Sequence, residues 1–248
     1  MIRAHLRSFR IVTLVCAASG FWHATSAQQP PEGTGAVSAL RPAAAADAAR
    51  AAGQSATTSV ADGLELSVFA PPGLVANPLT IDIASDGSVY VIASARSGML
   101  LDIRQHPGWV PEVHSLETTE DLRAFFRRVM APERSDENDW LPDFNEDGSR
   151  DYLDLTVVAE QVFRVDDTNG DGIADFSQVV HEGLNDDIAS DIAGGILIHG
   201  DDLLVTAAPD LWRLSDTTGD GIYDQKTSLS HGYSIHPAFS GHDMSALA

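Results

Sequence analysis

An internal repeat of fourteen residues constrains the fold of this chain more than any other feature. Residues 162–175 align with residues 211–224, 49 positions further along, and eight of the fourteen aligned positions are identical. Each copy reads as an apolar strand, an Asp/Gly-rich loop and a second strand. Repetition at about 50 residues is typical of β-propeller blades, which bury their faces only against neighbouring blades. The repeat therefore predicts an all-β fold, a β-propeller.

The sequence around the repeat continues this β pattern. Apolar and polar residues alternate in 64–69 and 79–83, with the period of half-buried strands. Asp86 and Gly87 form a tight-turn signal before the apolar run 89–93, so a hairpin is predicted there. Two further apolar runs bridge the copies of the repeat: 194–198 and 203–207.

One inserted helix is predicted within the β pattern. Thr118 or Thr119 can cap its N-terminus, and Pro132 ends it. Its apolar residues recur at helical spacing: Leu122, Phe125, Phe126 and Val129. Residues 63–248 suffice for about four blades at roughly 45 residues each. We therefore expect an incomplete propeller domain over 63–248, the N-terminal part of a longer, six-bladed ring.

The first 62 residues differ in composition from the rest. Residues 1–27 combine a basic start with three arginines, an apolar run over 11–22 and small residues at 24–27, which is the layout of a secretory signal peptide. A membrane anchor is the alternative, but the apolar run is shorter than the ~20 residues that span a bilayer. Residues 28–62 are rich in Ala and Pro and predict a disordered linker, with a short helix over 42–52 as the alternative, for which the sequence offers little to pack against. The protein is expected to be exported, to the periplasm or the cell exterior.

Charge and cysteine content exclude several classes of function. The chain has 36 Asp and Glu against 15 Lys and Arg, a net charge of -21, and removal of the three leader arginines makes it -21 - 3 = -24. Such a surface repels phosphates and anionic lipids, so we expect no nucleic-acid partner and no stable membrane insertion, and divalent cations are the natural partners. The single cysteine, Cys16, leaves with the leader. Disulfides, thiolate metal sites and covalent haem attachment are therefore not expected on this chain.

Three Asp-rich loops have oxygen donors at alternate positions before a glycine, as calcium loops do. At positions 1, 3, 5, 7 (a carbonyl) and 9, the first loop offers Asp167, Asn169, Asp171, Ile173 and Asp175. At the same positions, the second loop offers Asp216, Thr218, Asp220, Ile222 and Asp224. A third loop offers Asp143, Asn145, Asp147 and Asp151, with Asp154 at position 12. The alternative is that these are hairpin turns whose carboxylates accept backbone N–H groups. An EF-hand is disfavoured because position 12 is never Glu and convincing flanking helices are absent from the sequence.

Residues 161–184 resemble the membrane-bound dehydrogenase domain found with haem-binding proteins of planctomycete-type bacteria, a relative of soluble glucose/sorbosone dehydrogenases. Further matches are the hairpin at 86–91, the segment 208–212 and the C-terminal motif 240–244. The resemblance implies a six-bladed propeller that oxidises a sugar or alcohol and passes electrons to a quinone, such as pyrroloquinoline quinone, or to a haem partner such as a cytochrome c. It also implies that His242 is the proton-abstracting base. The chain has no Cys-x-x-Cys-His, and we expect it to be inactive by itself.

A second hypothesis is a non-catalytic calcium-binding propeller used for adhesion or carbohydrate binding. Residues 143–148 also resemble the loops of integrin-like repeat propellers. Those repeats carry one such loop in every blade, whereas the hairpins at Asp86 and at 195–206 lack it. The lack of a loop in these hairpins therefore favours the dehydrogenase hypothesis.

Overall fold

The regular structure of this chain consists mainly of β-strands. The computed structural model describes residues 10–13, 34–56, 60–94, 101–158, 160–233 and 235–237. Within these residues the strands form two antiparallel sheets and one parallel pair, in which β1 (Arg10–Thr13) lies beside β3 (Glu65–Val68). The all-β prediction is confirmed at this level. None of the helices in the described ranges is long and apolar enough to cross a membrane.

The larger sheet has five strands. Their bounds are Val37–Ala39 (β2), Pro78–Ile83 (β4), Val89–Ser94 (β5), Glu160–Asp166 (β6) and Phe176–Glu182 (β7). The strand order is β2, β7, β6, β5, β4, and every neighbouring pair is antiparallel. Strands β4 to β7 form an up-and-down meander, which we call the first unit. The predicted hairpin is confirmed as the β4–β5 turn, where Gly87 adopts a φ of 97° that favours glycine.

The smaller sheet has four strands and forms a second meander. Their bounds are Ala193–His199 (β8), Asp202–Ala207 (β9), Asp210–Ser215 (β10) and Gln225–His231 (β11). They are hydrogen-bonded in chain order, each antiparallel to the next. We call this meander the second unit. The second unit repeats the β4–β7 arrangement. In each unit an Asp-rich loop joins the third strand to the fourth.

The two copies of the sequence repeat occupy equivalent places in the two units. Residues 162–175 run along β6 into its loop, and residues 211–224 do the same along β10. The register shifts between Val162 and Phe163 in one copy and between Leu211 and Trp212 in the other, again 49 positions apart. A bulge bends its strand at a defined place, so the repeat preserves even this irregularity. The predicted order of strand, loop and strand is confirmed.

The two units pack side by side. Strand β4 contacts β8, and the Asp82 Oδ2 atom accepts a hydrogen bond from the backbone N–H of Ile198 at 2.7 Å. The backbone N–H of Tyr223 donates to the carbonyl of Val180 at 2.8 Å. A shared core joins the sheets, with fully buried side chains that include Ile92, Val162, Leu203, Val205 and Leu214. Burial of this apolar surface is the main force that holds the units together.

An insertion separates β5 from β6. It contains two α-helices, α2 (Val110–Val113) and α3 (Thr119–Val129), and its own hydrophobic cluster around Phe126, Met130 and Leu141. The predicted helix is confirmed as α3. Thr118 is its N-cap, since its Oγ1 accepts the N–H of Asp121 at 3.1 Å while Asp121 Oδ2 accepts the N–H of Thr118 at 2.9 Å.

The number of four-stranded units differs from the sequence prediction. About four blades were expected, whereas the described residues contain two such units. The difference arises because the insertion occupies the chain between β5 and β6, and because residues 63–77 add only β3. A blade count from chain length alone assumes that every residue contributes to a blade, which fails here.

The segment predicted as a disordered linker contains regular structure. Strand β2 pairs with β7, and helix α1 (Pro42–Ser55) buries one face made of Ala45, Ala49 and Ala52. That face packs against Val68 of β3. Small alanine side chains allow this close approach, so a helix without large apolar residues still finds a packing surface.

Candidate functional site

The β6–β7 and β10–β11 loops hold their first aspartate in the same way. Asp167 Oδ2 accepts the backbone N–H of Gly172 at 2.7 Å, and Asp216 Oδ2 accepts that of Gly221 at 2.8 Å. Both glycines have positive φ, 91° and 85°, which a side chain would oppose. Each loop therefore curls around the carboxylate at position 1.

The later carboxylates of the two loops also correspond. At position 5, Asp171 Oδ1 accepts the N–H of residue 173 and Asp220 Oδ1 accepts that of residue 222, both at 2.9 Å. At position 9, Asp175 accepts the N–H and hydroxyl of Thr168, each at 2.9 Å. Asp224 does the same with Thr217, at 2.7 and 2.5 Å. These local contacts confirm that the carboxylates accept backbone N–H groups, as the turn hypothesis predicts.

Position 3 distinguishes the two loops. Asn169 Oδ1 accepts the N–H of Asp171 at 2.9 Å. The equivalent Thr218 instead donates its hydroxyl to Asp216 Oδ1 at 3.4 Å. An amide oxygen is a better ligand for a hard cation than a hydroxyl group, so the second loop offers the poorer donor set.

The third loop has the same geometry although it lies in the insertion and outside the repeat. Asp143 Oδ2 accepts the N–H of Gly148 at 2.9 Å, which matches position 1 of the other loops. Asn145 Oδ1 accepts the N–H of Asp147 at 3.0 Å, and Asp147 Oδ1 accepts that of Ser149 at 2.8 Å. The same spacing of Asp, Asn, Asp and Gly thus produces the same turn in two different structural settings.

Asp151 and Asp154 are buried at the end of the third loop, 1% and 0% exposed. Asp154 Oδ1 accepts the N–H of Phe144 at 2.7 Å and that of Asn145 at 3.2 Å, and its Oδ2 accepts that of Asp151 at 2.8 Å. Asp151 Oδ1 accepts the N–H of Leu153 at 2.8 Å. Asp154, predicted as a ligand at position 12, is thus the acceptor that closes the loop.

One oxygen of the third loop has no partner among the described residues. Asp143 Oδ1 is buried, yet the hydrogen bond from Gly148 uses only the other carboxylate oxygen. A buried carboxylate oxygen that is removed from water without a compensating donor costs free energy. A bound cation or an ordered water molecule would remove that cost.

Hydrogen bonds favour the charged form of several loop carboxylates. The backbone N–H of Thr168 lowers the pKa of Asp175 from 3.8, and that of Gly221 lowers the pKa of Asp216. The backbone N–H of Ser149 lowers the pKa of Asp147, and the hydroxyl of Thr217 lowers that of Asp224. These groups are therefore ionised at neutral pH, and cations are attracted to the loops.

The loops do not assemble a cluster of strongly ligating side chains. Within the described ranges, no group of three or more His, Cys, Asp or Glu side chains is arranged to hold a metal ion. An ion bound in any of the loops would need amide, carbonyl and water oxygens beside the carboxylates, which is the mixture that calcium accepts. His242, the predicted base, lies outside the described residues.

Comparison with known proteins places this architecture in a family. Residues 52–245 match the family model of a domain of unknown function, DUF7133. The chain belongs to this family. No curated protein and no solved structure matches it. The DUF7133 match covers both units, the insertion and all three Asp-rich loops, so these loops lie within the DUF7133 domain itself.

Proposed function

We propose that this DUF7133 chain is a calcium-binding module of an exported β-propeller, in which bound Ca²⁺ stiffens the Asp-rich loops. The observation that carries the proposal is the buried Oδ1 of Asp143, which has no partner among the described residues, while Gly148 holds the other oxygen as Gly172 holds Asp167 Oδ2. The fixed carboxylate of Asp143 therefore keeps one oxygen available to contact an ion. Such preorganisation lowers the cost of binding.

The arrangement of the strands supports the propeller part of the proposal. Each unit is a four-stranded antiparallel meander, which is the composition of a propeller blade. The first strands of the two units, β4 and β8, contact each other, as neighbouring inner strands of a ring do. A shared core and a repeat distance of 49 residues fit the same arrangement.

The distribution of the loops supports the calcium-binding hypothesis over the dehydrogenase hypothesis. The hairpins at Asp86 and at 195–206 carry no Asp-rich loop, and each forms the first two strands of a unit. The third and fourth strands of the same unit carry the loop. The two hairpins are not separate blades. Each described unit therefore has one repeated loop, as in integrin-like repeats, so the lack of a loop in the two hairpins no longer favours the dehydrogenase. Oxidation of a sugar or alcohol, with His242 as the base, stays a prediction.

Calcium titration of the full chain by calorimetry tests the proposal. We expect saturable binding heat, and a melting temperature that rises with Ca²⁺ and falls when a chelator is added. Asp143→Asn should weaken or abolish one binding event, and Asp171→Ala should weaken another. Asp136→Ala serves as the matched control, because this exposed acid lies outside the three loops and its loss should leave the titration unchanged.

Two results would contradict the proposal. The first is a wild-type chain that shows neither binding heat nor any change in melting temperature on chelation. The second is an equal reduction of binding by Asp136→Ala and Asp143→Asn, which would indicate diffuse attraction of cations to the acidic surface. In the first case, an ordered water molecule at Asp143 Oδ1 would explain the buried oxygen.

A further inference from the structure

Three side chains from distant parts of the sequence meet where the insertion touches the second unit. Thr119 is the first residue of α3, Asp210 is the first residue of β10, and His231 is the last residue of β11. His231 Nε2 lies 3.0 Å from Thr119 Oγ1, and His231 Nδ1 lies 3.0 Å from Asp210 Oδ1. Hydroxyl, imidazole and carboxylate are therefore connected in a line.

The chemistry of the partners determines the tautomer of the imidazole. An ionised carboxylate only accepts hydrogen bonds, so the His231 nitrogen that faces Asp210 carries the proton. In the neutral ring the other nitrogen is then an acceptor, and the Thr119 hydroxyl donates to it. These are the roles of nucleophile, general base and orienting acid in a hydrolytic triad, which is recognised by geometry and not by sequence order.

The three side chains differ in their exposure to solvent. Asp210 is 6% exposed, and its Oδ1 also accepts the Ser228 hydroxyl at 2.5 Å, which holds the carboxylate in place. The His231 side chain is 47% exposed. Thr119 is 7% exposed, so only a slender group can reach its hydroxyl. The buried acid orients the base, while the base remains accessible to solvent.

The first turn of α3 supplies groups that can stabilise negative charge. Backbone N–H groups in the first turn of a helix lack intrahelical acceptors. The Asp121 carboxylate accepts the N–H groups of Glu117 and Thr118, which precede the helix, at 3.2 and 2.9 Å. The N–H groups of Thr119 and Glu120 are the next two in the chain and belong to the first turn. They are therefore the candidate donors to an oxyanion formed by attack of the Thr119 hydroxyl.

We propose that Thr119, His231 and Asp210 form a hydrolytic site for carboxylic esters with small acyl groups. Thr119 Oγ1 attacks the ester carbonyl carbon as His231 Nε2 takes the hydroxyl proton. The C–O bond to the leaving alcohol breaks, the alcohol departs with that proton, and an acyl-threonine forms. Water then attacks the acyl group with His231 again as base, which releases the carboxylic acid and restores the hydroxyl. Asp210 is a positioning residue. This proposal is independent of calcium.

The test uses the full chain with p-nitrophenyl acetate and with a fluorophosphonate probe. We expect saturable release of p-nitrophenol and a covalent probe adduct that mass spectrometry locates on Thr119. His231→Asn should lower kcat/KM by about 100-fold or more, the usual contribution of a general base. His199→Asn is the matched control, because His199 is an exposed strand histidine outside the three-residue line, and its loss should leave the rate unchanged.

Further variants separate catalysis from a purely structural contact between α3 and the second unit. Thr119→Ser retains the hydroxyl and should retain labelling, whereas Thr119→Val should abolish it. Asp210→Asn should lower kcat, since an amide cannot hold the reactive tautomer. The proposal is overturned if the wild-type chain and Thr119→Ser both remain unlabelled, or if His231→Asn and His199→Asn reduce the rate equally.

Discussion

The buried carboxylate of Asp154 allows a quantitative test of how the third loop is held. Its two oxygens accept three backbone N–H groups, those of Phe144, Asn145 and Asp151. Each buried hydrogen bond to a charged group contributes about 1.5–3 kcal/mol to the free energy of unfolding. When the carboxylate is removed, the N–H groups of the loop recover part of that free energy by bonding to water. We therefore expect Asp154→Ala to lower the free energy of unfolding by about 3 kcal/mol.

Asp154→Asn should have a smaller effect. The amide oxygen can still accept from Phe144 and Asn145, but the NH₂ group then faces the N–H of Asp151, so one hydrogen bond of three is lost. We expect a loss of about 1 kcal/mol. Urea denaturation followed by circular dichroism measures both variants, and a chain of this size should melt about 2–4 °C lower for each kcal/mol lost.

The same pair of variants distinguishes a loop-closing acceptor from a metal ligand. If Asp154 closes the loop, both variants lose stability in the presence of a chelator. If it acts only as a calcium ligand, chelation makes both variants equal to the wild-type chain. Losses below about 0.5 kcal/mol for Asp154→Ala in chelator would refute the reasoning, because that is the range of ordinary surface substitutions.

Three further predictions concern stability. Thr118→Ala removes the N-cap of α3 and should cost about 1 kcal/mol in urea denaturation; no loss would contradict the capping role. The hydrogen bond from Thr168 lowers the pKa of Asp175, so the stabilising contribution of Asp175 is complete above pH 3.8 and is lost as pH falls through the lower folded pKa. Asp175→Asn should reduce this loss of stability in acid, measured by urea denaturation at several pH values. An unchanged loss would contradict the role given to Asp175. Burial lowers the pKa of His181 from 6.5, so the unfolded chain binds a proton at this histidine before the folded chain does, and stability falls as pH drops below 6.5. His181→Asn can still donate to the carbonyl of Tyr223 and should make that fall shallower. A steeper or equal fall would count against this role of His181.

Much of the local structure could be predicted from the residues themselves. Helix α3 begins at its predicted cap and is stabilised by its predicted apolar stripe. The hairpin at Asp86 and the strand, loop and strand order of the repeat are also confirmed. Turn glycines, caps and alternating runs act over a few residues, so their signals are complete within a short window of sequence.

The candidate sites likewise include features that the sequence predicts and features that depend on tertiary packing. The spacing in the Asp167 loop predicted a calcium loop, with a turn whose carboxylates accept backbone N–H groups as the alternative, and the structure has those hydrogen bonds. The buried and unpartnered state of Asp143 Oδ1 had no signal in the sequence, since it depends on how the insertion packs. The line of Thr119, His231 and Asp210 was missed, because 112 residues separate the hydroxyl from the imidazole.

The sequence by itself determined the local features: two equivalent loops, a capped helix and an acidic charge concentrated in turns. Only the tertiary structure decided that two hairpins and two loops belong to the same pair of units, that β2 joins the larger sheet, and that the insertion meets the second unit at His231. The physical reason is that a strand's alternation specifies which face is buried but not which strand pairs with it. Those partners are selected by the total burial that the whole chain can achieve.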